Sequence, residues 1–536
     1  MKHTPSNNKI FWIFVIFLSL TGFITGIIGF REETGGAFFN GNNLYHTFQM
    51  FILHHSFEHE IASFWLELSR WLILLVFLLV TFQLFITIIA PKFIQYTKIR
   101  FFYKNHIVIC GLNEITMEIV NKFSNSKIVV ISTENSHYSE SLKQRKIKFI
   151  SGDPTDAYIL KNGSVKNAAK LFAVTHNDKQ NVEIAQTVCA LLKTKPRKEA
   201  LQCFVLINDR ELKTILEETT LFQYKTGNFD GYLFNINEIG IKYGICTNVD
   251  KILPATLKTT PEILIVGLTE KAENVILNLA HCTTMQRDVF QFTIVEDDET
   301  KVDNFLKKHH YLEHYAGIKK SNNLKEVCTK NRFDSIFVCI ENQMDGIKVA
   351  TEIHYLFGKN APNILLFCDD INTMNMVLQE ELLKKKIFPI NLFGQIADYV
   401  FDLDKNIEAQ AKETHYFWNE IYKKNTDWNS LSGHFKQSNR NQILDNYLKT
   451  YIAFGKKFDD FSHCLVSLSD NEKETLAMME HRRWVLEKLV SGWVFGERDN
   501  EFKRHDCFIQ WNELPEEQRA KDYDVINLML KLLNTQ

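Results

Sequence analysis

Two apolar runs near the N-terminus restrict what this chain can become more than anything else in it. Ile10 to Phe30 is free of charge and almost wholly apolar. About 20 such residues, at roughly 1.5 Å each, cross the ~30 Å hydrocarbon layer of a bilayer. Trp71 to Ala90 is a second such run, ended by Pro91 and Lys92. A cleaved secretory signal is the alternative for the first run. Its apolar stretch is too long for one, and no small-residue cleavage site comes before Arg31, Glu32 and Glu33. Lys2 and Lys9 precede the first run, and Lys92, Lys98, Arg100 and Lys104 follow the second. The loop between carries Glu32, Glu33, Glu58, Glu60 and Glu67 against Arg31 and Arg70. The positive-inside rule therefore predicts a two-pass protein of the inner (plasma) membrane, with both termini cytoplasmic and the lipid bilayer as a partner. Cysteine placement agrees: all ten lie between Cys110 and Cys507, with no C-x-x-C pair, as a reducing compartment would have it. A formal net charge of -2 gives no bulk electrostatic case for nucleic-acid binding.

Between the runs, Leu44 to Leu53 is too short to cross but long enough for a re-entrant or interfacial helix, expected within about 44–57. Long helix, short helix, long helix is the plan of a two-span cation channel subunit. A potassium filter resembles T-V-G-Y-G, whose carbonyls replace the ion's hydration shell. The corresponding stretch here, His54 to Glu60, has no glycine and cannot supply the same carbonyl ladder. A ring of Glu58 or Glu60 across an oligomer could attract cations without strict selectivity. An interfacial helix with a solvated acidic loop is the other reading. His46, His54, His55 and His59 are spaced on no single face, which favours a polar loop over a metal site. Arg70, at the lip of the second run, is expected to snorkel outward.

From His106 onward the pattern changes to short β-branched runs alternating with helical stretches. Strands are predicted at 106–110, 127–132, 147–150, 171–175 and 202–207, the reading of a doubly wound parallel sheet over residues 105–250. Gly111 follows the first strand. Ser151–Gly152–Asp153–Pro154–Thr155–Asp156, Leu160, Val165–Lys166–Asn167–Ala168, Leu171 to Thr175 and Asn177 to Asn181 follow in order. On these pieces the region resembles the potassium-transport nucleotide-binding family, the TrkA-N or RCK-type domain. The resemblance implies a regulatory domain that assembles with its copies beside a membrane pore or transporter, so a homo-oligomer, with a tetramer favoured. It also implies a nucleotide-type ligand, NAD(H) or another nucleotide, held by Gly111, Asn113 and Ile115, Glu134, Gly152 and Asp153, and Asp178 and Asn181. The dinucleotide fingerprint is incomplete, because Asn113 and Thr116 stand where glycines let the backbone approach a pyrophosphate. Glu114 adds a negative charge at the helix start, and Glu134 stands two places late for a ribose-binding acid.

A second Rossmann-like domain is predicted over 258–395. It begins at Glu262 to Gly267, with later strands at 291–295, 333–340 and 363–368. Gly267 opens its loop and Glu296 is placed to hold a ribose diol. Tandem folds of this kind imply an intrachain pair, which in related channel assemblies forms rings that pull on the pore helices.

The last sixty residues read Ala477 to Trp484, Ser491 to Asp499, His505, Trp511 to Pro515 and Lys521–Asp522. The H-x-x-W, G-W-x-x-G and W-x-E-L-P elements closely resemble the ryanodine-receptor (RyR) domain and imply a small all-α domain over 471–536, its last helix starting near Pro515. His481, Arg482, Trp484, Trp493, Arg498, His505 and Trp511 form a candidate aromatic and basic pocket for a nucleotide-like small molecule. A core built on the tryptophans is the other reading. Residues 396–470 are a helical linker or a partial repeat, because Trp428–Asn429–Ser430–Leu431 echoes Trp511–Asn512–Glu513–Leu514.

The fold class expected is a membrane α-helical N-terminus, two tandem doubly wound sheets and a small helical domain. The function expected is a ligand-gated membrane ion channel or transport regulator. The alternative is a non-conducting, membrane-tethered nucleotide sensor that signals to a partner, as a bacterial defence effector would. No catalytic role is expected, because the chain lacks G-x-S-x-G, H-E-x-x-H and a Walker loop.

Overall fold

The computed structural model describes residues 5–35, 40–52, 63–133, 138–193, 197–223, 227–257, 259–369, 376–461 and 466–535. The chain forms two compact units, Met1–Phe102 and Tyr103–Gln536.

In the first unit, helices Pro5–Thr34 and Phe64–Leu84 are each long and apolar enough to cross a membrane. They run antiparallel. Gly22 of the first faces Ile73 of the second, Gly26 faces Ser69, and Gly29 faces Leu66. The second helix starts at Phe64 rather than Trp71 and does not stop at Pro91. A π-helical turn, Phe85–Ile89, leads into helix Ala90–Phe102. A π-turn shifts the backbone hydrogen-bond register just ahead of the proline, and a missing N–H is tolerated in a helix's first turn. The short helix Gly41–Phe51 folds back along the first span. Asn43 bonds Thr34 at 3.3 Å, Thr47 lies against Gly26, and Phe48 packs on Phe23 with ring centroids 4.9 Å apart. Its C-terminal end thus lies beside the middle of the first helix. Glu58 and Glu60, with His54, His55 and His59, lie outside the described residues. Arg70 is exposed and pairs with Glu67 at 2.7 Å.

The second unit holds two six-stranded sheets, every pairing parallel. The first comprises β1 (His106–Cys110), β2 (Ile128–Ser132), β3 (Lys148–Ser151), β4 (Ala168–Ala173), β5 (Leu201–Leu206) and β6 (Phe229–Phe234). Their order is β3-β2-β1-β4-β5-β6. The second comprises β7 (Glu262–Val266), β8 (Gln291–Val295), β9 (Gly317–Ser321), β10 (Ser335–Val338), β11 (Asn363–Cys368) and β12 (Ile387–Asn391), in the order β12-β11-β10-β7-β8-β9. Read from β9, this repeats the first sheet, and both have the doubly wound Rossmann order. The central strands are buried throughout, which is why they read as unbroken apolar runs.

The two sheets are joined by reciprocal helices. Helix Ile236–Thr247, after β6, packs on helix Glu270–Leu279 of the second domain. Helix Leu392–Asp402, after β12, packs on helix Glu114–Lys122 of the first, and the two exchanged helices pack on each other. Gly240 permits that approach, since a Cβ there would stand 3.2 Å from the Leu392 carbonyl oxygen. Asn237 donates to Glu270 at 2.9 Å and Asn391 to Glu118 at 3.0 Å, so each arm is pinned to the other domain's first helix.

The C-terminal helices continue the same core. Helices Glu408–Ile421 and Gly433–Phe454 flank a 3-10 turn at Trp428–Ser430. Helices Asp470–Val490 and Glu516–Thr535 flank one at Trp511–Glu513. In both, the buried indole N–H donates to a glutamate of the preceding helix, Glu408 or Glu474, and the ring lies beside a histidine of that helix, His415 or His481. A capping box of Ser469 and Glu472 starts the third of these helices. Among its described residues the C-terminal domain pairs strands in one short ladder, Val494–Phe495 against Arg504–His505, with a single bridge from Asp499 to Arg504.

Candidate functional site

At the first sheet's switch point, Gly111 takes φ +116, and a Cβ there would stand 2.8 Å from the Val174 carbonyl oxygen. The loop is occupied by its own side chains. Asn113 caps the following helix by accepting from the Thr116 N–H at 3.1 Å, and its amide donates to Val174 O at 2.6 Å. The Thr116 hydroxyl donates to Gly111 O at 3.1 Å. A pyrophosphate needs those N–H groups and that space, so the first loop does not fit a dinucleotide. The other candidates around it have places in the fold. Ile115 is core. Gly152 admits Ile159, and Asp153 accepts from Thr155 N–H at 2.9 Å. Asp178 accepts from the Asn208 and Asp209 N–H groups, and buried Asn181 ties Thr175 to Leu206 O. Glu134 lies outside the described residues.

The second switch point is arranged differently. Gly267 takes φ +83, and the following helix has no side-chain cap. Thr269 donates instead to Cys339 O at 2.8 Å. Glu296 accepts from the Leu268 N–H at 2.7 Å and from Lys301 at 3.2 Å. Burial alone would raise its carboxyl, but these donors outweigh burial and hold it below the ordinary range. Lys271, buried in the helix's first turn, pairs with the half-exposed Asp369 at 3.0 Å. Uncapped N–H groups, a lysine and an ionised acid at the end of the second strand fit a nucleotide's phosphate and ribose.

The seven C-terminal candidates divide into separate groups. His481, Trp484, His505 and Trp511 gather with Phe508. Trp484 stands edge-on to His505 at 4.8 Å, and His481 lies 6.1 Å from both Trp484 and Trp511. Arg482 turns away, donating to the carbonyls of Ala280 and Tyr315 and lying over the Tyr315 ring, so it docks this domain on the second sheet domain. Burial lowers its guanidinium to about 10. Arg498 is exposed in the loop between the two short strands of the ladder. Trp493 faces a different cleft, with the Lys488 ammonium 4.5 Å from its ring centroid. His505, Asp506 and Cys507 bring three donor atoms within 4.8 Å. His505 Nδ1 already accepts the Cys507 N–H, and burial raises the Cys507 thiol to about 11, which disfavours a metal there.

Asp522 approaches His481 at 3.6 Å, and burial raises its carboxyl to about 6 although the histidine pulls it down. The folded chain therefore keeps a proton there that the unfolded chain has released above about pH 4. This group's contribution to stability falls as pH rises from about 4 to 6. In Asp522→Asn that slope is expected to disappear, read as unfolding temperature against pH. Parallel curves for the two proteins would show that Asp522 titrates normally.

Sequence comparison agrees with this architecture. Residues 107–222 match the TrkA-N domain and residues 460–535 the RyR domain, so the chain carries a TrkA-N/RCK-type fold and a RyR domain. The calcium-gated potassium channel TvoK of Thermoplasma volcanium is 29% identical over 118 residues, 20% of this chain and 33% of the relative, so the match spans about a third of that protein's length. Among solved structures, the GsuK channel is 16% identical with a TM-score of 0.41, covering 75% of this chain and 98% of that one. The GsuK channel bound to NAD is 13% identical with a TM-score of 0.37, covering 76% and 85%.

Proposed function

We propose that the chain is a subunit of a ligand-gated membrane channel or transport regulator, gated by a nucleotide-type ligand and acting by binding rather than catalysis. The observation that carries this is the first unit: two antiparallel apolar helices with a short helix folded back beside them, in a chain whose next domain matches the TrkA-N domain. The relative TvoK is by name a calcium-gated potassium channel, which supports the class. Both long helices would span the inner membrane with termini in the cytoplasm, and copies of the chain, a tetramer favoured, would surround the pore. NAD(H) or a related nucleotide would be held at the second switch point by Gly267, the Leu268 loop, Lys271 and Glu296. A ligand that binds one arrangement of the exchanged helices better than another shifts the population toward it.

Oligomers reconstituted in liposomes are expected to pass potassium ions when NAD(H), ADP or ATP is added, and Glu296→Ala is expected to weaken that response about tenfold or more. Background flux in a nucleotide-saturated oligomer would instead favour the non-conducting sensor. A strictly monomeric particle would rule out the channel.

A further inference from the structure

A cleft of about 820 Å³ opens between helix Arg210–Glu217 of the first sheet domain, the Trp428–Ser430 turn with the start of helix Gly433–Phe454, and the RyR-domain segment at 491–503. That volume is the size of a small-molecule site. Of the seven C-terminal candidates, only Trp493 lines it. Two further rings line it, Phe435 and Phe502, and these are left 52% and 68% exposed. Three carboxylates line it, Glu217, Glu218 and Glu501; Glu217 is paired with Lys213 at 2.6 Å and Glu218 with Lys503 at 2.7 Å, while Glu501 forms no ion pair among the described residues.

The Trp493 ring has an uncommon neighbour. Lys488 is buried and forms no ion pair among the described residues. Its ammonium lies over Trp493 at 4.5 Å and over Phe435 at 5.6 Å, and it donates to His434 Nε2 at 2.9 Å. Burial together with Lys488 lowers His434 to about 4, so the imidazole is neutral and accepts that bond. An ammonium on one face of an indole offsets the negative π potential that would draw a second cation, and favours stacking with a neutral, electron-rich ring. Glu501, the carboxylate with no paired lysine among the described residues, repels a phosphate at this range, and all three carboxylates accept hydrogen bonds from hydroxyl groups.

We propose that this cleft binds a neutral, nucleoside-class molecule, its heteroaromatic base stacked on Trp493 and its sugar hydroxyls donating to the carboxylates of Glu217, Glu218 or Glu501. The site is separate from the sheet-end crevice that would hold a nucleotide, and it spans three parts of the cytoplasmic unit. Its occupant would therefore set how the RyR domain sits on the first sheet domain.

The test uses the full chain in detergent with adenosine, guanosine, cytidine and uridine, each beside its 5′-monophosphate. At least one nucleoside is expected to raise the unfolding temperature, purines more than pyrimidines, and its monophosphate to bind about tenfold or more weakly. Trp493→Ala abolishes the nucleoside response and Trp493→Phe keeps part of it. Glu218→Gln with Glu501→Gln narrows the gap between nucleoside and monophosphate. Should Trp493→Ala fail to fold, Phe435→Ala serves as the second variant, with a weakened response expected. Four flat titrations, a monophosphate that binds as tightly as its nucleoside, or a response that survives at Trp493→Ala or is unchanged at Phe435→Ala would overturn the proposal. Nucleoside binding without ion flux would leave this site standing and remove the channel. Nucleotide-gated flux with no Trp493-dependent binding would do the reverse.

Discussion

Lys449→Met is expected to lower the stability of the second unit by about 3–5 kcal/mol, the cost of breaking a buried ion pair from one side. Lys449 is fully buried. Its ammonium lies 2.5 Å from Asp445 and 2.6 Å from Glu480. Glu480 also takes both forks of Arg483, at 2.7 and 3.0 Å, and Asp445 meets His281 at 2.6 Å. The network thus ties the second sheet domain, through His281, to the Gly433–Phe454 helix and the RyR domain. Burial pushes both carboxyls up, but the surrounding cations win and hold Asp445 well below, and Glu480 below, the ordinary range. Methionine fills the volume and leaves buried Asp445 with His281 alone and buried Glu480 with Arg483, which it shares with Glu487. The carboxyls are depressed in the fold, so what they contribute is present at neutral pH and lost as pH falls through their folded values. Asp445→Asn and Glu480→Gln added to Lys449→Met are expected to recover most of the loss, because no unpaired carboxylate then remains. Urea denaturation of the three proteins decides it. A cost below about 1 kcal/mol for Lys449→Met alone would mean that water reaches the network.

The sequence made the centres of both sheets and the edge strand β3 legible, and hid the other three edges. β1, β2, β4, β7, β8 and β11 are covered on both faces and announce themselves as apolar runs. The strands not anticipated, β6, β9 and β12, each lie at an edge and carry Asp230 and Gly231, paired lysines, or Pro389. Edge strands tolerate such residues because one side of their ladder is free. The C-terminal motif was legible as a domain but not as a pocket. Arg482 and Arg483 are neighbours in sequence, yet successive residues point about 100° apart on a helix. One therefore docks on Tyr315 and the other enters the buried network. The Asp445–Lys449 spacing reads as an ordinary surface pair of a helix, and nothing in it signals that both groups are buried. Asn113 and Asn181 were legible as polar residues of a nucleotide loop. Their amides are spent instead on backbone groups at the strand ends.

Gly29→Leu is expected to part the two apolar helices. A Cβ at Gly29 would stand 2.7 Å from the Leu66 nitrogen and 2.9 Å from its Cα, backbone atoms that no rotamer change can move aside. Gly26 is as tight, with Thr47 at 2.8 Å and Ser69 at 2.9 Å, so the first helix meets both of its neighbours along one stripe of small residues. The close approach also satisfies polar groups, since the Ser69 hydroxyl donates to Gly22 O at 2.6 Å. Hydrocarbon offers that hydroxyl no water in exchange once the helices separate. Overpacking of this kind costs about 1–3 kcal/mol and more where backbone blocks relief. Gly41→Ala is the matched control, because a Cβ there meets nothing within 4 Å. On the channel reading, Gly29→Leu abolishes flux and lowers the first unit's unfolding temperature, while nucleoside binding by the cytoplasmic unit is unchanged. If Gly29→Leu behaved like Gly41→Ala in both measurements, the two helices would not meet at Gly29 and Leu66.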